Sequence, residues 1–209
     1  MHFIEKIKRS LSLLLNIPYI SKEFYQEGKG PFLLHISDTP EEIQSYLIKL
    51  VKKINPQYIV HTGDIVDNIK LEIYKNQKDA YLKGLKNFVM ALEATDVKEV
   101  YYTAGNHDDK ELIKSVISRG RLLKEKETFK IEGYSFFASH YYNENRPSTD
   151  YYLFGHSFEP KNKIEKSKIL LNGLTGINII DLSTGRVYNA IYPLGTNQFR
   201  KMERVRIGF

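Results

Sequence analysis

Three times in the first half of the chain a short apolar run ends in polar residues and is followed by a segment of helical spacing. "PFLLHIS" leads to Asp38 and then to "TPEEIQSYLIKLVKKI", where Ile43, Leu47, Leu50, Val51 and Ile54 fall on one helical face. Thr39 is the expected N-cap of that helix, Pro40 its first residue, and Glu41 and Glu42 suit its first turn. "NPQYIVHTGD" reads as a turn and a second strand, with the helical "QKDAYLKGLKNFVMALEA" after it. "KEVYYTAGNHD" is a third strand, and "DKELIKSVISRG" a short helix with a glycine stop. Buried strands that alternate with helices imply a parallel sheet. Downstream, "TFKIEGYSFFASH", "STDYYLFGHS" and "SKILLNGLTGINIIDLSTGRVYNAIYP" read as short strands joined by Gly, Asn and Ser turns. They imply a second sheet packed on the first.

A length of 209 residues fits one domain with an extension, and 42% hydrophobic residues, with 15 Tyr and 11 Phe, fit a globular core. The linker-like "EGKGP" divides an N-terminal extension, residues 1–29, from a domain over residues 30–209. In the extension, Ile4, Ile7, Leu11 and Leu14 have helical spacing, but the segment is too short and mixed to span a bilayer. Its apolar face is expected either to pack on the domain or, flanked by Lys6, Lys8 and Arg9, to make peripheral membrane contact through residues 1–20. The basic tail "FRKMERVRIGF" is expected to be loosely ordered.

With no cysteine, disulfides and thiolate metal sites are excluded; any metal must be held by His, Asp, Glu, Asn or backbone oxygens. The composition fits a cytoplasmic protein. A net charge of +6 favours anionic partners: phosphorylated small molecules or phosphodiesters, nucleic acid, or an acidic membrane surface.

Polar clusters close the expected strands: Asp38, "HTGDIVDN", "GNHDD", His140 and "FGHS". The carboxyl ends of parallel strands share an edge where ligands bind. Carboxylates, an amide and imidazoles gathered there suit Mn, Fe or Zn. His35 and His61 lie inside strands and read as structural. Asp67 and Asn68 read as supporting or loop-capping residues.

These motifs resemble the calcineurin-like metallophosphoesterases, whose pattern is Asp-x-His, Gly-Asp-x-x-Asp, Gly-Asn-His-Asp/Glu, a lone His, and Gly-His-x-His. Here they stand as "DTP" (38–40), "GDIVD" (63–67), "GNHD" (105–108), "SH" (139–140) and "GHSF" (155–158), within residues 31–192. The resemblance implies an α/β fold: a four-layer α-β-β-α sandwich of two mixed sheets, face to face, with helices outside. It also implies two metals bridged by Asp64. Asn106, His140 and His156 complete one. Asp38 remains for the other, where Pro40 and Phe158 replace both histidines. The expectation is therefore one well-formed site for Mn, Fe or Zn, beside a degraded one that holds Mg or Mn weakly or not at all. His107 is implied as the group that assists the leaving oxygen, oriented by Asp108. Arg146 and Lys70 are candidates for gripping a substrate phosphate. The expected function is metal-dependent hydrolysis of phosphoric esters by metal-activated water, as a phosphatase or phosphodiesterase, weak or mononuclear. The alternative is a catalytically impaired protein of this fold that serves as a binding scaffold, as the retromer subunit does.

Overall fold

The computed structural model describes residues 2–201. Helices α1 (His2–Leu14) and α2 (Lys22–Glu27) precede the first strand, β1 (Phe32–Ile36). The expected alternation follows: α3 (Glu41–Ile54), β2 (Tyr58–His61), α4 (Lys78–Glu93), β3 (Glu99–Tyr102), α5 (Lys110–Val116) and β4 (Arg121–Leu122). The remainder is β5 (Lys126–Ile131), β6 (Tyr134–Ser139), β7 (Tyr151–Phe154), β8 (Lys163–Glu165), β9 (Lys168–Asn172), β10 (Ile177–Asp181), β11 (Val187–Ala190) and α6 (Thr196–Phe199).

Two mixed sheets form, ordered β11-β10-β1-β2-β3-β4 and β5-β6-β7-β9-β8. β1 to β4 run parallel in the first sheet. β6, β7 and β9 run parallel in the second. Period-two alternation sends neighbouring residues of a strand to opposite faces. Leu34, Ile36 and Ile59 thus meet the apolar faces of α3 and α4, while Leu33, Val60 and Tyr101 meet Phe129, Phe136 and Tyr151 of the second sheet. The fold is α/β, with the two sheets packed face to face as expected. The helical cover lies on the first sheet. On the outer face of the second, Phe137, Tyr152, Phe154 and Leu170 pack against Tyr142 of the loop after β6, so among the described residues a loop stands there in place of a helical layer.

Packing continues N-terminal to residue 30. Ile20 and Phe24 are buried in the core, with Phe24 edge-on to Tyr188. The "EGKGP" segment is pinned, since the Lys29 amide donates to Asp181 at 2.8 Å. α1 forms, but Ile7, Leu11 and Leu14 are at least half exposed rather than packed on the body; the side chain of Ile4 lies outside the described residues. No described helix is long and apolar enough to cross a membrane.

At the other end, Arg200 is buried, against the expectation of a loose tail. Its guanidinium donates to the carbonyls of Asp38, Ser37 and Leu174 and lies over the Tyr192 ring. These carbonyls follow β1 and β9, and the Arg fork donates to all three, with the Tyr192 hydroxyl also donating to Ser37 O at 3.1 Å. The tail beyond Lys201 lies outside the described residues.

Candidate metal centre

The loops after β1 and β2 run side by side: Asp38 N donates to Gly63 O at 3.0 Å and Thr39 N to Asp64 O at 2.9 Å. The loops after β6 and β7 are joined in the same way, Gly155 N to His140 O at 3.0 Å. A bond from His156 N to Asp38 Oδ2, 3.1 Å, ties one sheet's edge to the other's. Asp38, Asp64 and His156 all take left-handed backbone conformations, with φ of 53°, 54° and 66°. Such residues are costly outside glycine and concentrate where geometry serves a site. Gly105 is required by contact: a Cβ there would meet Asp64 Oδ1 at 2.1 Å.

Four donor groups converge at this edge. His140 Nε2 lies 3.2 Å from Asn106 Oδ1, 3.2 Å from His156 Nδ1 and 3.4 Å from Asp64 Oδ2. Two ligands about 2.1 Å from one ion at the tetrahedral angle are roughly 3.4 Å apart. The set therefore has the spacing of a coordination shell, and its donors fit a divalent transition metal. Three of the four are oriented from behind. His140 Nδ1 lies 2.7 Å from the Thr62 carbonyl, which makes that nitrogen the N–H and leaves Nε2 as the donor toward the site. Asn106 gives its NH₂ to Glu72 at 2.6 Å, turning Oδ1 inward. Asp64 uses Oδ1 to accept from His107 N at 3.0 Å, which frees Oδ2.

The charged groups at this edge act strongly on one another. Burial works against charge on His140, but its contact with Asp64 and the charges of Asp64 and Asp38 push it up to about 10. Burial would raise Asp64, yet His140 and His107 bring it down to about 2. His156 and His107 are both held below the usual imidazole value, chiefly by burial.

The neighbouring position is different. Pro40 precedes α3 as its cap residue, and Phe158 is turned outward, 45% exposed. Asp38 and Asp64 are both buried here. Asp67, read from sequence as a supporting residue, is buried in the same group, and Asp64, Asp67 and His107 bring one ligand atom each within 4.8 Å of one another. Burial, then the charges of Asp38 and Asp64, push Asp67 up to about 8, with Lys70 opposing them. The Lys70 ammonium is bound to the Asp67 carboxylate.

Two expected roles are corrected. Asp108 does not orient His107. Its carboxylate accepts from Asp64 N, Ile65 N, Gly105 N and Tyr81 OH, at 2.7 to 3.0 Å, and clamps the loops after β2 and β3 together. The carboxylate nearest the His107 ring is Glu72, 3.6 Å from Nδ1. Arg146 is already engaged by other side chains. Its guanidinium is taken by Glu165 and the Tyr142 hydroxyl and lies over the rings of Tyr142 and Tyr152.

His35 and His61 are structural, bonded to Thr62 and Thr39 and driven down to about 3, chiefly by burial. Thr39 does not cap α3; its hydroxyl turns inward to the Ile65 carbonyl, and Asn68 Oδ1 accepts the Glu41 amide instead. Glu41 is held by Asn68. Glu72, Tyr81 and Arg200 were missed, because each acts across the fold from outside the motifs. Only Asp67 carried a signal, as the second aspartate of "GDIVD".

This α/β protein gathers one Asp, one Asn and two His at the carboxyl ends of parallel strands, a donor set that could hold a metal ion. Residues 33–192 match the family model of the calcineurin-like phosphoesterases, and the chain belongs to that family. Among solved structures, an archaeal phosphodiesterase is similar at 17% identity and a TM-score of 0.56, over 77% of this chain and 99% of that one. The phosphoesterase Yfce from E. coli is similar at 13% identity and a TM-score of 0.51, over 77% of this chain and 98% of that one. These likenesses show the fold. No curated protein matches the chain.

Proposed function

We propose that the chain hydrolyses phosphoric esters with one divalent transition metal held by Asp64, Asn106, His140 and His156. The observation that carries this is that Asn106 Oδ1, His156 Nδ1 and Asp64 Oδ2 all lie 3.2 to 3.4 Å from His140 Nε2, with His140, Asn106 and Asp64 each oriented by a partner behind it. When bound, the cation supplies a polarised water and neutralises phosphate charge.

The chain's own residues do the rest. Thr62 fixes the His140 tautomer, Glu72 fixes the Asn106 amide, and Asp108 holds the two loops in register. His107, half-buried beside Asp64, in its protonated form would give a proton to the departing ester oxygen as that P–O bond breaks, while the oxygen of a water bonds to phosphorus and the water's proton passes to solvent. Lys70 faces the phosphate.

Charge favours a diester. Asp38, Asp64 and Asp67 bring three negative charges and Lys70 one positive, so one divalent cation brings the set to neutrality, or to +1 while Asp67 keeps its proton. Such a site matches the single charge of a phosphodiester better than the double charge of a monoester.

Purified protein supplied with Mn²⁺ should hydrolyse bis-p-nitrophenyl phosphate with a higher kcat/KM than p-nitrophenyl phosphate, and His156→Ala should lose both metal and turnover. A chain that binds no metal and turns over neither ester would defeat the proposal and favour the binding-scaffold reading.

A further inference from the structure

Three carboxylates buried together, Asp38, Asp64 and Asp67, need positive charge nearby. One metal held by Asp64 leaves the Asp38 and Asp67 side of this group uncompensated. His107 brings a ring nitrogen to the Asp64 and Asp67 edge of this group, but neither position where the family places a further histidine has an imidazole, since Pro40 caps a helix and Phe158 points to solvent. Lys70 does reach it: its side chain is only 13% exposed and its ammonium binds Asp67. The Lys70 charge also acts on both His107 and His156, lowering each, so it lies within electrostatic range of both.

The backbone holds Lys70 there. Ile69 is buried, Ile73 N and Tyr74 N both donate to the Lys70 carbonyl, and Lys201 Nζ donates to Asn68 O at 2.8 Å. The lysine therefore projects from an anchored turn.

We propose that the Lys70 ammonium takes the place of the second metal ion, so that the enzyme works with one metal and one fixed organic cation. This rests on the reading of the site as a one-metal phosphoesterase. An ammonium has three donors, and Asp67 is the hydrogen-bond partner of Lys70 among the described residues. The other donors remain for phosphate oxygens. Unlike a metal, Lys70 polarises no water; it neutralises the charge of phosphate and carboxylates. The "DTP" and "GHSF" departures then form one change with Lys70: two ligands removed and a cation supplied from within the chain.

The test counts metal. Mn²⁺ binding is measured by equilibrium dialysis on wild type and Lys70→Ala, with diester turnover followed as Mn²⁺ rises. Wild type should bind one ion and reach full turnover with it. Lys70→Ala should bind a second, weaker ion at the exposed carboxylates, lose about a hundredfold in turnover at low Mn²⁺, and recover part of it as the second ion binds. Two ions in wild type, or a count of one in a folded Lys70→Ala, overturns the role of Lys70 and leaves the hydrolase reading standing. Should Lys70→Ala fail to fold, the wild-type count decides alone. Wild type with no ion and no turnover overturns the hydrolase reading itself.

Discussion

Residues adjacent in sequence do different work at this site. His107 and Asp108 look like an imidazole with its carboxylate, yet Asp108 accepts four hydrogen bonds from the loops and from Tyr81. The two variants should therefore separate. His107→Ala should lower kcat by about 10²–10⁴-fold with metal content and unfolding midpoint unchanged, read by steady-state kinetics beside elemental analysis. Asp108→Ala should lower stability instead, by about 3 kcal/mol or more, since buried amides lose a charged acceptor worth about 1.5–3 kcal/mol each. Denaturant unfolding measures this, and a fully stable Asp108→Ala with a His107-like kinetic defect would restore the orienting role. The ligands were legible in sequence because each follows an apolar run at a sharp turn, as Asp64 follows "YIVHTG". The roles of Asp108 and Lys70 were not, because they depend on which carboxylates and amides meet across loops.

At the scale of elements, the strand–loop junctions are the device, and the termini support them unequally. Arg200 reaches back from α6 to the Asp38 carbonyl, so a residue of the basic tail helps set the first motif. Arg200→Met should cost about 3 kcal/mol through buried carbonyls left unpaired at about 1–3 kcal/mol each, and should weaken diester turnover by loosening the Asp38 loop. Unchanged unfolding and turnover would refute the latch. Toward the N-terminus the boundary falls within the extension. Removal of residues 1–17 should leave metal content and turnover unchanged, because the apolar face of α1 is exposed, whereas Phe24→Ala should cost about 3 kcal/mol by emptying a core position against Phe32 and Tyr188. Alternation of apolar runs with helical stripes announced the first sheet. The burial of Phe24 and Arg200 had no such periodic signal, since a six-residue helix and a four-residue one are too short to show one.

For the molecule as a whole, folding and metal binding are linked through protons. In the metal-free protein His140 is raised to about 10, so its stabilising contribution is complete below an unfolded value near 6.5 and disappears as pH climbs through 10. Asp67 and Asp108, raised to about 8 and about 6, act in the same direction, because the folded chain holds protons that the unfolded chain has released. Asp64, lowered to about 2, contributes above 3.8 and is lost as pH falls through 2. Below about pH 6.5 the buried histidines His35 and His61, lowered to about 3, oppose these groups, so metal-free protein should lose thermal stability from about pH 7 to pH 10. Metal-loaded protein should lose much less, because the ion replaces the His140 proton, and metal affinity should rise with pH over the same range. Thermal melts with and without chelator check this, and a metal-free melt that rises between pH 7 and pH 10 would contradict it.

The central claim is one metal beside one lysine, and the number of ions bound per wild-type chain tests it most directly. Native mass spectrometry of wild-type protein saturated with Mn²⁺ should give one ion per chain, and His156→Ala none under the same conditions. Two ions in wild type, or one retained in His156→Ala, would contradict the account.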